Sequence, residues 1–278
     1  MTALKLWNAA ASALLSLFFC LPTKASTSCD TTLNSGGGES LMNVCISNTG
    51  NLVGFQSPSG FEHIRIGTIG EGYIVCHGSI VSPTVDGFDA GFDARGWGAL
   101  TVIQPNGQNT LPLTILRNTS NGNFQLKQVF TRNTSEREVT VTMTLTNISK
   151  STLFFPSLQR YVDFDIDNTS ADDIFFADEN TVFAEQANTI SPVRDGSGHA
   201  MSITALPFGS GTLVEKASLW FAASGTHTSC SSTGQVTPTA GQSGAVGAGN
   251  YVGRIRFDFF SLNSGSSTSP VKLIYRRQ

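Results

Sequence analysis

The chain is poor in positive charge, in helical periodicity and in the short motifs that announce a chemistry. Charged residues make up 13% of its 278 residues and the formal net charge is −3, which argues against nucleic acid or an anionic membrane as main partner. No segment holds apolar residues at helical spacing for long, because Gly, Thr and Ser interrupt nearly every window. No repeat of fixed length recurs, which disfavours a propeller or a solenoid. There is no G-x-S-x-G elbow, phosphate loop or dinucleotide fingerprint, and His63, His77, His199 and His227 lie apart without a spacing signature. C-x-x-C is missing too, so the cysteines do not suggest zinc. Beyond the first residues, no apolar run is long enough to cross a bilayer.

Those first residues read as a targeting segment. Lys5 precedes the apolar run from Leu6 to Phe19, too short for a membrane span, and Thr23-Lys24-Ala25 resembles a cleavage point, so residues 1–25 are expected to be a signal peptide. Its removal takes away Lys5 and Lys24 and no acid, which moves the formal charge from −3 to −5. The product is expected to be secreted or periplasmic. Residues 26–40, with Gly36-Gly37-Gly38, read as a flexible N-terminal segment, and 41–278 as a single domain. Cys29, Cys45, Cys76 and Cys230 remain after cleavage, an even number that in an exported chain suggests two disulfides with three possible connectivities. The favoured pairing is Cys29–Cys45, tying down the N-terminal segment, with Cys76–Cys230 as a long-range staple.

Turn residues punctuate short strand-like segments throughout. Glu138 to Thr146 alternates most cleanly, with Val139, Val141, Met143 and Leu145 expected inside and threonines opposite. Asn48-Thr49-Gly50, Pro105-Asn106-Gly107 and Asn121-Gly122 read as hairpin turns, and Gly225 to Gly249 as a long surface loop. The expected fold is all-β: a large two-sheet antiparallel β-sandwich with few or no helices after the signal peptide.

Two stretches could carry chemistry. In RYVDFDID, Val162, Phe164 and Ile166 alternate with Asp163, Asp165 and Asp167, which predicts a strand with a buried apolar face and a wet acidic one. Repelling carboxylates in a row call for water, arginine or a cation. Calcium, with Asp163, Asp165, Asp167 and Asp172 as ligands, is the cofactor this set suggests. On a flat strand same-face carboxylates stand about 7 Å apart, so only a bulge or the turn after Asp167 could gather them. A solvated or arginine-paired face is the plainer reading, and paired acids for glycoside hydrolysis the remaining one. No residue set qualifies as catalytic. The second stretch, DGFDAGFDARGWG over Asp86 to Gly98, reads as a glycine-rich loop. Its Asp93, Arg95 and Trp97, with Arg160 at the head of the acidic strand, form a candidate ligand-binding group, since aromatic rings beside charged groups suit sugar recognition. The plainer alternative is a loop whose aromatics cover the end of the sandwich.

The order of features resembles the galactose mutarotase-like supersandwich superfamily. The resemblance rests on VTVTMTLTNISKSTL, on RYVDFDID after it, and on the closing pair RIRFDFFSLNSGSSTSPVKLIYRR. It implies a supersandwich fold and a sugar-related function. The superfamily's catalytic His and late Glu are not matched: no glutamate follows Glu215, and His199 is the only mid-chain histidine. The expectation is therefore a secreted, non-catalytic β-sandwich binding a glycan or a partner at the cell exterior. Two alternatives stand beside it: a carbohydrate-active enzyme of glycoside hydrolase or epimerase type using aspartates of the 163–173 stretch, and a structural envelope protein.

Overall fold

The computed structural model describes residues 28–64, 70–79, 82–90, 93–133, 137–168, 173–177, 180–186, 199–206, 212–214, 218–221, 230, 235–236, 244–248 and 251–278. The expected signal peptide over 1–25, Asp172 and most of the expected loop from Gly225 to Gly249 lie outside the described residues.

The described residues are built from strands. In chain order these are β1 (Thr31–Ser35), β2 (Met42–Ile46), β3 (Leu52–Gln56), β4 (Glu71–Gly78), β5 (Pro83–Asp89), β6 (Ala94–Arg95), β7 (Trp97–Ile103), β8 (Leu113–Thr119), β9 (Phe124–Asn133), β10 (Glu138–Asn147) and β11 (Leu153–Phe154). There follow β12 (Ser157–Asp163), β13 (Asp173–Ala177), β14 (Thr181–Gln186), β15 (Ala200–Ala205), β16 (Thr212–Val214), β17 (Ser218–Phe221), β18 (Gln235–Val236), β19 (Gly244–Ala248), β20 (Tyr251–Phe259), β21 (Ser261–Leu262) and β22 (Val271–Arg277). One large sheet runs β19-β13-β14-β15-β22-β10-β9-β8-β7, and the other β18-β17-β20-β12-β4-β5-β6 with β16 beside β20. A small sheet of β1-β2-β3 and the pair β11-β21 complete the body. Among the described residues helix is limited to 3₁₀ turns at Gly38–Ser40 and Ile166–Asn168.

The core lies where the faces of these sheets meet. On β10, Val139, Val141, Met143 and Leu145 are fully buried while the intervening threonines are half-buried, as period-two alternation requires. The middle strand β12 differs, because all of its residues from Ser157 to Asp163 are buried. Its inner side chains Leu158 and Val162 enter the main core, whereas Tyr161 packs with Ile74, Cys76, Val252 and Cys230 in a second cluster. The Cys76–Cys230 disulfide, between residues 154 apart in sequence, pins Cys230 into that second cluster. Cys29–Cys45 is the other bridge and holds the start of β1 to β2.

Three expectations need correction. Residues 31–35 of the expected flexible segment form β1, which pairs along its length with β2 and buries Leu33. Asp86 to Gly98 is not a loop: β5, β6 and the start of β7 run through it, with Phe88 paired to Arg95. The acidic stretch buries Val162, Phe164 and Ile166 as read, and its other face is only partly wet, with Asp163 buried and Asp165 and Asp167 half-buried. Asp163 is 0% exposed, on the face where Tyr161 packs with Cys230, and the strand stops there. Asp167 then turns the chain at φ +58.

The β2–β3 turn, Ser47 to Asn51, is inserted into the interior, with Ser47, Thr49, Gly50 and Asn51 buried. Gly50 is required there twice over: its φ is +92, and a Cβ would lie 2.4 Å from Gln128 Nε2.

His63 is also fully buried, its Nε2 donating to the Ser57 carbonyl. Burial lowers its pKa from the ordinary 6.5 to about 4. The unfolded chain therefore takes up a proton near pH 6.5 that the folded chain refuses until about pH 4. Stability from this group is complete above pH 6.5 and is lost as pH falls toward 4, by up to about 3 kcal/mol. Urea unfolding at a series of pH values should show a shallower acid loss for His63→Gln than for the native chain; parallel profiles would refute this.

Candidate functional site

Two ion pairs lie between the sheets with no exposed side-chain surface: Arg160 with Glu71, and Arg117 with Asp89. Arg160 of β12 contacts both Glu71 oxygens, and its Nη1 donates to Gln128 Oε1 at 2.6 Å. Its Nη2 also donates to the Gly50 carbonyl at 2.8 Å, and its Nε to the Tyr275 hydroxyl at 2.7 Å. Arg117 of β8 donates through Nη1 to the Tyr73 hydroxyl, which donates in turn to the Thr49 carbonyl, both at 2.6 Å. Asn51 closes this second group by donating to Asp89. Burial raises the Glu71 carboxyl above its ordinary value, and the Arg160 guanidinium opposes that rise. Burial likewise works against the charge on Arg160, but the oxygens of Glu71 and Tyr275 outweigh it and hold the guanidinium protonated. The polar interior is thus occupied by its own members and by the β2–β3 turn.

This disperses the ligand group expected from sequence. Arg160 is spent on Glu71. Trp97 is 7% exposed, with the Arg117 guanidinium 4.7 Å from its ring centroid and Tyr73 at 5.4 Å, so it is a core residue and not a sugar platform. Asp93 and Arg95 stay at the surface, paired with each other at 3.1 Å. Among the described residues the calcium set is not gathered, and its Asp165 is half-buried. Asp163 is buried, Asp167 accepts from His199 Nδ1 at 3.0 Å through both oxygens, and Asp172 lies outside the described residues. Among the described residues no three His, Cys, Asp or Glu side chains gather as a metal site. Asp173, a candidate acid of the enzyme alternative, is buried and accepts the Ile166 N–H at 2.9 Å.

A different grouping stands at one end of the sandwich. Cys76 pairs with Ser157, which sets His77 at the end of β4 beside the chain corner just before β12. His77 Nδ1 donates to Asp86 Oδ2 at 2.6 Å, and the other oxygen of Asp86 accepts from Asn121 at 2.7 Å and Asn123 at 2.8 Å. The Asp86 side chain is buried while that of His77 is 22% exposed, so a fixed carboxylate orients a ring that reaches solvent. β11 packs against β4 at this end. There Phe154, Phe155 and Phe260 are 58%, 44% and 63% exposed. Phe155 has φ +47, an outlier for a bulky residue that costs about 1–3 kcal/mol. Hydrogen bonds from Phe155 N–H to the Phe260 carbonyl and from Phe259 N–H to the Pro156 carbonyl, both 2.9 Å, hold the corner. Ile148 N–H donates to the Asn123 carbonyl at 2.9 Å, which joins the amide side of the site to the turn after β10. The sequence does hold a trace of this site, the Phe-Phe-Pro run of LFFPS, but reading Leu153 to Leu158 as one continuous strand hides the corner.

No protein-family model matches the chain, and no curated protein matches it. Among solved structures, a bacterial glucoamylase complexed with acarbose aligns at 9% identity and TM-score 0.56, covering 92% of this chain and 33% of that one. A polysaccharide lyase aligns at 11% identity and TM-score 0.48, covering 88% and 33%. An Escherichia coli K12 protein assigned as an aldose 1-epimerase aligns at 12% identity and TM-score 0.43, covering 89% and 99%. The chain therefore spans about a third of the length of the glucoamylase and of the lyase. The glucoamylase likeness establishes a shared fold alone.

Removing one member of the inner ion pair should be costly. Arg160→Met leaves Glu71 buried without its cation and is expected to destabilise by about 3–5 kcal/mol. Adding Glu71→Gln, which keeps an acceptor for the Leu52 N–H, should recover part of that loss. Urea midpoints of both single variants and the double variant test this, and strictly additive effects would refute the coupling.

Proposed function

We propose that this protein is a carbohydrate-binding sandwich without catalytic duty, acting outside the cytoplasm, and that the glycan contacts the Phe154–Phe155–Phe260 end. The observation that carries the proposal is Phe155, where backbone strain is spent to present an aromatic ring to solvent. Ring faces pack against the C–H side of a sugar, and polar groups nearby bond its hydroxyls. His77, Asn121 and Asn123, set around Asp86, supply such groups on the adjoining elements. Two disulfides fit an oxidising compartment, and among the described residues no helix is long and apolar enough to cross a membrane. The fold shared with part of a glucoamylase supports a sugar-related role as analogy. A non-catalytic role is favoured because Glu71 and Asp89 are locked in ion pairs and Asp163 and Asp173 are buried.

A glycan array followed by calorimetry on the best binder is the test. Phe154→Ala and Phe260→Ala, at exposed positions, should each weaken binding about tenfold while leaving the thermal midpoint near native, since ~1.4 kcal/mol corresponds to a factor of ten. Binding to no glycan, or binding unchanged in both variants, would overturn the proposal. Turnover of chromogenic glycosides by the native chain would overturn its non-catalytic part.

A further inference from the structure

A second feature, independent of the aromatic end, lies on the outer face of the β1-β2-β3 sheet. There a cavity of about 280 Å³ is lined by Asn43, Gln56, Glu62, Val53, Gly54 and the Cys29–Cys45 disulfide. Asn43 pairs with Gln56 across the strands and Cys45 with Gly54, so the missing side chain at Gly54 leaves the hollow open above the disulfide. The polar lining is made of oxygen acceptors and carboxamides. Asn43 Oδ1 is buried without a hydrogen-bond partner. Glu62 is held rigidly: its Oε1 accepts the backbone N–H groups of Phe55 at 2.6 Å and of His63 and Ile64 at 3.1 Å. That saturates one oxygen and leaves Oε2 as the one suited to a ligand. Burial raises the Glu62 carboxyl against the lowering effect of those three backbone bonds, Asp165 nearby adds to the rise, and the described lining residues include no basic side chain.

A group that meets this lining must bring several donors and a positive charge to a small space. We infer that the cavity binds a small organic cation through a primary ammonium group, held by Glu62 Oε2 with the Asn43 and Gln56 side-chain amides beside it. Three N–H donors on a compact ammonium match these acceptors, and charge-assisted bonds of this kind are the stronger ones. A neutral ligand of the same shape leaves the carboxylate uncompensated and gains less.

Glucosamine, against N-acetylglucosamine and glucose as neutral counterparts, is the probe. Titrated into the isotope-labelled full-length protein near neutral pH, glucosamine should shift the amide signals of Asn43, Gly54 and Gln56 saturably, and the neutral sugars at least tenfold more weakly. Glu62→Gln keeps an acceptor for the three backbone donors and deletes the charge, and should weaken glucosamine at least tenfold. Should that variant not fold, Gln56→Leu, which replaces the amide with an apolar side chain at a half-buried position, should weaken glucosamine at least tenfold instead. Phe154→Ala should leave glucosamine at this cavity unaffected, which separates the outcome from the fate of the aromatic end. Equal affinity for glucosamine and glucose, no saturable shift in the native chain, or native affinity in Glu62→Gln or Gln56→Leu would each overturn the inference.

Discussion

The arrangement inside the sandwich follows from keeping one guanidinium supplied with oxygen. An ion pair taken out of water loses several kcal/mol per ion, so it persists only where every remaining donor and acceptor finds a partner. Arg160 meets that condition with groups drawn from separate elements: Glu71 from β4, Gln128 from β9, Tyr275 from β22 and the Gly50 carbonyl from the β2–β3 turn. These elements belong to the two large sheets and the small one, so a single side chain links all three. The polar turn Ser47–Asn51 is buried for the same reason. Its carbonyls serve Arg160, Tyr73 and Gln128, a task that a solvent-facing hairpin would leave undone.

That saturation decides where function can reside. A carboxylate that accepts from a guanidinium, a tyrosine and a backbone amide, as Glu71 does, is not available to activate water or protonate a leaving group. Asp89 is similarly engaged with Arg117 and Asn51. The ligand chemistry proposed above is therefore drawn from the periphery of the described residues. The two peripheral sites differ in character: one offers aromatic faces beside an Asp-anchored histidine and amides, and the other a carboxylate and an orphaned amide oxygen above a disulfide.

The sandwich was legible from sequence because its evidence is periodic. Threonines alternating with Val139, Val141, Met143 and Leu145 leave one assignment for that strand, and β10 adopts it. The period of two in RYVDFDID also sorts inner from outer side chains correctly. It carries no information on whether the outer face meets water, because Cys230, which packs beside Tyr161 on that face, is 154 residues from its partner Cys76. Trp97 was misjudged on similar grounds, since its neighbours Tyr73 and Arg117 are distant in sequence. The aromatic end was hidden for a local reason: an exposed Phe at φ +47 breaks the rule that strand-like apolar residues turn inward. Sites built against local propensity are those that pattern reading misses.

The likeness to part of a glucoamylase bears on scaffold and not on chemistry, and the interior shows why the two separate. Two large sheets and a shielded core set the outline, and many side chains satisfy those demands equally well. What fills the polar interior is free to differ without altering the outline. In this chain the interior has gone to the ion pairs, and the strain has been left at the rim. A residue such as Phe155, held out of its preferred backbone region by its bond to Phe260 and by the neighbouring bond of Phe259 to Pro156, persists because these over-determine it. Strain of that kind, on a residue 44% exposed, is what the proposed contact of the ring with a ligand would account for.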